Sequence, residues 1–487
     1  MLGAFLVKLP WGYFVMFYSK SPSPGNAVLF LARLWGGSFV SLLFCLSLCS
    51  TTLGQSLPSE KGSVSTSINL AVEKDDRPVE SYFDPIQGTS SADLVRRALA
   101  SNAELAAVRL EIERSRARLR QAGLRPNPAI DFEQQRGVFN SPGEHVTSVG
   151  VSLPIELGGK RQRRIDLAQA EFEAAQSEVA DRERRLANDV RAAYAEAMAA
   201  ARELSITADL NTIDTQTARV VEARVNEGDA APLELNLLRV EVERLRSRRA
   251  LVTGRLQAAL LKLKSLTGIP TTELLRLRED LTTFVLPDPP ASLEAAVEIA
   301  VRTRPDLRLA KLNEEVAQAG LRLARAQSVP DVTAFSRYSR SQSSFDQTPI
   351  GPLTDRDKLF AYGVSISIPV FNRNQGAKAE AETAIAQSQQ RRQFIEAVVR
   401  AEVSSAYARY LAATQSTNLF EQGVIARSNE NIKAIRGAYQ IGAFRVTELL
   451  TEQRRLIDSQ REYTEALAER YRALADLQAA LGVPIQP

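Results

Sequence analysis

Very little in this chain could carry out covalent chemistry. It holds a single histidine, His145, and only two cysteines, Cys45 and Cys49, both close to the N-terminus. A hydrolytic triad, a thiol relay or a zinc site needs several nucleophilic or ligating side chains brought together, and one imidazole cannot supply them. His145 reads as a surface residue in a loop between strands. Gly158-Gly159-Lys160 offers glycines ahead of a lysine, but the rest of a phosphate-loop motif is missing. No catalytic residue, cofactor or metal site is expected, and the chain does not read as an enzyme. The remaining positions of interest are conformational and electrostatic. Gly228 and Gly442 can take the positive φ of a helix end and tight reversal. Arg224 and Tyr439 stand just before them, and the carboxylate of Glu448 follows the second.

Composition indicates what must position these residues. In 487 residues the net charge is only +4, with 44% hydrophobic and 24% charged side chains, so no strongly basic footprint points to nucleic acid. The bias toward alanine, glutamate, arginine and leucine suits long helices. Order of elements is the stronger signal, because it occurs twice. In each copy a helical segment reaches a proline (Pro128, Pro330), and two short strands follow. A very long helix, a glycine turn and a second helix complete the copy, which ends Leu266-Thr-Gly-Ile-Pro270 in one case and Ala480-Leu-Gly-Val-Pro484 in the other. Tyr194 and Tyr407 are 213 residues apart, and Gly228/Gly442, Glu234/Glu448 and Gly268/Gly482 are each 214 apart. Such constant spacing marks an internal duplication. The boundaries read as a first repeat over 91–270, a linker over 271–291 and a second repeat over 292–487.

The residues before the repeats have a different composition. Both tryptophans, both cysteines and two of the three methionines fall in the first 55 positions. Arg33, the apolar stretch from Phe39 to Leu48 and the small residues around Gly54 predict an export segment, a signal peptide over 1–54. A membrane anchor and a lipid-modified Cys49 are the alternatives, although Leu48 has the wrong size for lipid processing. Residues 55–90 are rich in serine, lysine, aspartate and glycine and read as a flexible lead-in.

Between Gly159 and Gly228 there is no glycine or proline, and a helix filling that gap would be about 100 Å long. The matching run, from Gln375 to Ile441, contains Gly423 and Gly437, which weaken a helix without ending it. In the first returning helix Leu235, Leu238, Val242, Leu245, Val252, Leu256, Ala259, Leu263 and Leu266 recur at spacings of three and four, with Arg249 the polar member of the seam. This predicts coiled-coil packing, with the neighbouring Glu241, Glu243, Arg244, Arg246 and Arg248 forming a mainly solvated face. The strands alternate instead with period two. Val149, Val151, Leu153 and Ile155 form one apolar row, and Tyr362, Val364, Ile366, Ile368 and Val370 form the other. Ala129 to Gly137 and Asp331 to Arg340 are their expected partners, and Ser341 to Leu359 is expected to be an exposed external loop. Strands of this length can cross a thin bilayer when tilted. Four of them cannot close a barrel in lipid, because two edges would keep unpaired backbone groups. Either the sheet is soluble or several chains share one barrel.

With these elements in place, the chain from Ser91 to Pro484 resembles the outer-membrane efflux proteins of the TolC family. Val149-Gly-Val-Ser-Leu-Pro-Ile-Glu-Leu-Gly-Gly-Lys160, followed by Arg164, is similar to the CzcC-like branch associated with heavy-metal efflux. Val364-Ser-Ile-Ser-Ile-Pro-Val-Phe-Asn-Arg373 is the equivalent passage in the second copy, and Arg224-Val-Asn-Glu-Gly228 and Tyr439-Gln-Ile-Gly442 match the family's hairpin tips. The resemblance implies a mainly α protein with a membrane β-barrel: a homotrimer sharing twelve strands, with a helical tunnel crossing the periplasm from the outer membrane. It also implies passive passage, driven by an RND-type inner-membrane pump through a periplasmic adaptor, with outer-membrane lipid around the barrel. By the same resemblance Glu448 aligns with an acidic position at the family's periplasmic constriction, where three chains would form a carboxylate ring. Where the family often has a second acid one turn later, this chain has Thr451, with Glu452 beside it. Arg224, Gly228, Tyr439 and Gly442 become adaptor-contact positions at the tunnel's free end. Organic compounds such as drugs or solvents are the alternative cargo, and a pore-free periplasmic scaffold is the alternative class.

Overall fold

A computed structural model describes residues 4–8, 14–18, 82–137, 144–282, 289–345, 351 and 353–482. It divides into two units, Met1–Lys74 and Asp75–Pro487. In the first unit, β1 (Ala4–Lys8) and β2 (Phe14–Tyr18) pair antiparallel, from Ala4 opposite Tyr18 to Lys8 opposite Phe14. The apolar stretch from Phe39 to Leu48, both cysteines and the expected cleavage region lie outside the described residues.

The second unit contains both repeats. The first runs α1 (Ser91–Ser101), α2 (Ala103–Ala122), β3 (Ala129–Arg136), β4 (His145–Ile155), α3 (Lys160–Glu227) and α4 (Pro232–Thr267). The second runs α5 (Leu293–Thr303), α6 (Pro305–Ala326), β5 (Val332–Phe345), β6 (Leu353–Ile366), α7 (Gln375–Leu419), a π-helical turn (Phe420–Ile425), α8 (Ala426–Gln440) and α9 (Val446–Leu481). Serine side chains start the opening helix of each copy: Ser90 accepts the Asp93 N–H, and Ser292 accepts the Ala295 N–H. The first long helix is unbroken over 68 residues. Its counterpart departs from regular α geometry around Gly423, where one extra residue per turn is accommodated as a π-bulge.

The offset between copies is 202 residues at Pro128/Pro330 and 215 at Pro154/Pro369, so the second copy's extra length falls in its strand hairpin. Strands of both copies join one antiparallel sheet in the order β3-β4-β5-β6. The second hairpin differs from expectation. β5 continues to Phe345 and β6 already starts at Leu353, so Asp355 to Lys358 belong to a strand, not an external loop. His145 likewise opens β4, opposite both Arg136 and Gln342.

The seam of α4 packs as its spacing predicts up to its last turn: Leu235, Leu238, Val242, Leu245, Val252, Leu256, Ala259 and Leu263 are all buried, and Leu266 is half-buried. Around the middle of α3, Val190, Tyr194 and Met198 form one core with α1, α4 and α9. Two segments with no sequence periodicity meet there. Leu277 bridges to Phe83 and Thr89, and Tyr82, Leu275, Leu277 and Leu281 are buried. The Tyr194 hydroxyl fastens this strap by donating to the Thr89 carbonyl and accepting the Glu279 N–H, both at 3.2 Å. Thus the end of the lead-in and the start of the linker are held against the helices. Their backbone groups pair with each other across the chain, a pairing that local composition does not encode.

Candidate functional site

The sheet separates two chemistries by the parity of its strands. One face carries Ile130 and Phe132 from β3, then Val149, Val151, Leu153 and Ile155 from β4. The register continues this face through Tyr338 of β5 to Phe360, Tyr362, Val364 and Ile366 of β6. These apolar side chains are exposed; Tyr362 is 80% and Ile130 is 75% accessible. The opposite face is mainly polar: it carries Asp131, Glu133, Ser148 and Arg337, with an Arg337–Glu133 ion pair at 3.5 Å, and Phe335 and Leu359 are its large exposed apolar members. An exposed apolar face of this extent has no place in water, and it is the pattern of a strand wall with lipid on one side and an aqueous lumen on the other. Among the described residues β3 and β6 pair on one side only, so both sheet edges are open. Among the described residues no helix is long and apolar enough to cross a membrane.

Charged side chains fix the passage from sheet to helices. Gly158 and Gly159 adopt φ of +70° and +69°, and a Cβ on Gly158 would lie 2.8 Å from Val329. This turn delivers Lys160, nearly buried, to Asp331 at 2.7 Å, and Arg164 to the Glu156 carboxylate. The glycine pair beside Lys160 therefore serves a strand-to-helix turn and an ion pair. In the second copy Asn374 takes the left-handed conformation at φ 59°, and its side-chain amide donates to the Ala324 carbonyl at 2.9 Å. Asparagine is among the few side-chain-bearing residues for which that backbone is common.

At the other end of the helices the two tips share one construction. The Asp229 N–H donates to the Arg224 carbonyl at 2.8 Å, and Gly228, at φ +84°, donates to Val225. The Ala443 N–H donates to the Ala438 carbonyl at 2.9 Å, and Gly442, at φ +77°, donates to Tyr439. Both are six-to-one and five-to-two closures of a helix C-terminus. Gly228 and Gly442 are exposed, whereas Arg224 and Tyr439 are half-buried. Tyr439 packs against an apolar cluster that joins the two hairpins through Val221, Leu235, Leu238, Val446 and Leu450. Burial raises its hydroxyl pKa. Glu448 is exposed in the first turn of α9, where its carboxylate accepts the Arg445 backbone N–H. An acid there satisfies a free helix donor and complements the positive end of the helix dipole.

Two to four turns behind the tips lies a polar cluster that the sequence reading missed. Asp214 of α3 is 2% exposed and accepts the Gln453 side-chain amide of α9 at 2.9 Å. Glu241 of α4, assigned from sequence to the charged outer face, is buried and accepts Arg454 of α9 at 2.8 Å. Burial pushes the Asp214 carboxyl up to about 6, against the Gln453 hydrogen bond; the Glu241 charge raises it further and Arg436 opposes. This cluster ties the first hairpin to the second across the repeat boundary. Its signal was the spacing of Glu241, three residues after Leu238 and four before Leu245, which lies within the buried stripe rather than outside it. Among the described residues no group of histidine, cysteine or acidic side chains is placed to hold a metal ion.

A strand wall with an exposed apolar face, rooted on very long paired helices, is the architecture of a channel-forming outer-membrane protein. The chain belongs to the outer membrane efflux protein family, whose pattern matches residues 94–269 and 296–483, one match per repeat. It is similar to the cobalt-zinc-cadmium resistance protein CzcC of Cupriavidus metallidurans, at 24% identity over 79% of this chain and 88% of that protein. It is also similar to the pyoverdine export outer membrane protein OpmQ of Pseudomonas putida, at 24% identity over 91% of this chain and 95% of that protein. In three dimensions it resembles the crystal structure of CusC, a transmembrane channel, with a TM-score of 0.67 at 21% identity over 84% of this chain and 94% of that one. The resemblance to TolC-type efflux proteins of the CzcC-like branch, drawn from short motifs, thus extends over most of the chain.

Proposed function

We propose that three copies of this chain assemble into the outer-membrane exit duct of a tripartite efflux system and passively conduct heavy-metal cations. The observation that carries this reading is the four-stranded sheet with an exposed apolar face and two open edges. In lipid each unpaired backbone group costs several kcal/mol, so the edges require partners, and three copies closing on one another would supply them. The same closure would set the long helices side by side as a tunnel across the periplasm. An RND-type pump and an adaptor would supply the energy and the link to the inner membrane. The exposed tips around Gly228 and Gly442, with Arg224 and Tyr439 behind them, are the surface offered to the adaptor. Glu448 is the proposed gate: three exposed carboxylates meeting at the axis would favour cations. Similarity to CzcC supports a metal cargo. Similarity to OpmQ favours the second reading, the same duct for organic compounds. Deleting the gene and measuring growth inhibition by zinc, cobalt, cadmium, nickel and copper beside lipophilic drugs separates them. Selective metal sensitivity, restored by the intact gene, is the expected result. Drug sensitivity alone would move the protein to organic efflux. A protein recovered as soluble monomers from the periplasm would instead make it a pore-free scaffold.

A further inference from the structure

Near the start of β6 the sequence reads Asp355-Arg356-Asp357-Lys358, and strand parity sends the acids to one face and the bases to the other. Lys358 lies opposite Arg340 and Arg356 opposite Gln342. Across β4 the same two rows continue through Thr147 and His145 to Gln134 and Arg136. These rows stand on the apolar face, immediately beyond the aromatic row of Phe132, Tyr338 and Phe360 on the side away from the helices. Asp355, Asp357 and Glu133 are all on the opposite face, so the sheet itself keeps them from neutralising the bases. Arg136, Arg340, Arg356 and Lys358 are exposed, and among the described residues none forms an ion pair. Like charges directly opposite, as Arg340 and Lys358 are, destabilise a strand pair unless an anion lies between them.

We propose that Arg136, Arg340, Arg356 and Lys358 form a cationic girdle that binds the phosphate groups of phosphorylated glycolipid in the membrane leaflet distal to the helices. The inference rests on the reading of the sheet as a membrane wall. Aromatic side chains at that depth mark the boundary between hydrocarbon and headgroups, so the row just beyond them meets phosphate. Guanidinium groups suit phosphate because their planar donors can bind two oxygens at once. A purely apolar wall would hold any lipid, whereas this row selects for anionic headgroups.

The test uses the full chain in nanodiscs containing either bis-phosphorylated lipid A, its dephosphorylated form or phosphatidylethanolamine, with retained lipid quantified by mass spectrometry. Phosphorylated lipid A should be retained over the other two by roughly 10-fold or more, in a salt-dependent way. Joint replacement of the four bases by glutamine should abolish the preference, while Asp355→Asn with Asp357→Asn on the other face should leave it unchanged. Lys358→Gln alone, expected to weaken the preference roughly 3-fold or more, serves if the quadruple variant does not fold. Millimolar inorganic phosphate should not displace the lipid, because the apolar wall contributes to holding it. Normal nanodisc insertion with equal retention of all three lipids overturns the girdle alone. Failure to insert into any lipid overturns the membrane reading itself.

Discussion

Each repeat brings a left-handed glycine at the end of its returning helix against the start of its own second short helix. In the first, a Cβ on Gly268 would lie 2.9 Å from the Ser101 carbonyl oxygen; in the second, a Cβ on Gly482 would lie 2.9 Å from the Arg304 backbone. The neighbouring polar residue differs. Asn102 caps α2 through Leu105 and donates to the Leu266 carbonyl at 3.0 Å. Its counterpart Arg304 is 3% exposed, pairs with Glu402 at 2.6 Å and with Asp306, and reaches the Ala480 carbonyl at 3.4 Å. Duplication therefore kept the backbone contact, which only glycine can make, and let the side chain that holds it diverge from a neutral cap to a buried ion cluster. The tyrosines have diverged similarly. Tyr194 makes two hydrogen bonds to the strap, and Tyr407 makes one, to the Pro290 carbonyl at 3.4 Å.

The comparison is broken most severely at the divergent side chain. Arg304→Ala leaves the Asp306 carboxylate partly buried and unpaired and should cost about 3–5 kcal/mol in chemical denaturation, against about 1–2 for Asn102→Ala. Equal losses would mean that the buried ion cluster adds nothing to the cap. At the shared glycines, Gly268→Val and Gly482→Val should each cost about 3 kcal/mol or more through backbone clash and strain. Gly228→Ala and Gly442→Ala meet open space and should cost only about 1–2 kcal/mol.

Asp214 has no charged counterpart, since the equivalent position in the second repeat is Ser428. Its carboxyl is held up at about 6 from an ordinary 3.8. Between those values the unfolded chain releases a proton that the folded chain keeps. Stability therefore falls as pH rises from about 4 to about 6, and it stays lower above that range. Asp214→Asn should flatten this slope and gain about 1–3 kcal/mol relative to the parent between pH 4 and pH 8. Parallel pH profiles for parent and variant would remove Asp214 as the source. The smallest effect belongs to the tyrosines: Tyr194→Phe should cost about 1–2 kcal/mol and Tyr407→Phe less than about 1, with exchange at the backbone amides of 82–90 accelerated only in the first.

The α4 seam, the unbroken 68-residue α3 and the two glycine tips were legible in the sequence because each depends on local periodicity or on backbone freedom at one residue. The apolar rows were legible for the same reason, except that β6 ends at Ile366 and leaves Ile368 and Val370 of the expected second row outside the strand, and with the rows came the choice between a soluble sheet and a shared barrel. The charged residues were not. Glu241 and Glu243 are two positions apart on one helix, yet the first is buried against Arg454 and the second is exposed. Asp355 to Lys358 read as loop because only apolar alternation was sought, whereas alternation of charge sign obeys the same parity of the strand. Glu448, proposed as a gate, also serves as the acceptor that starts α9. By itself the sequence determined the duplicated order of elements, their lengths and their reversals, since φ/ψ preference and side-chain period act within a few residues. Tertiary structure alone decided which acids are buried, which bases form no ion pair among the described residues and how the strap from 82–90 meets 271–282. The free energy of a charge or a free backbone group depends on surroundings brought together from distant parts of the chain.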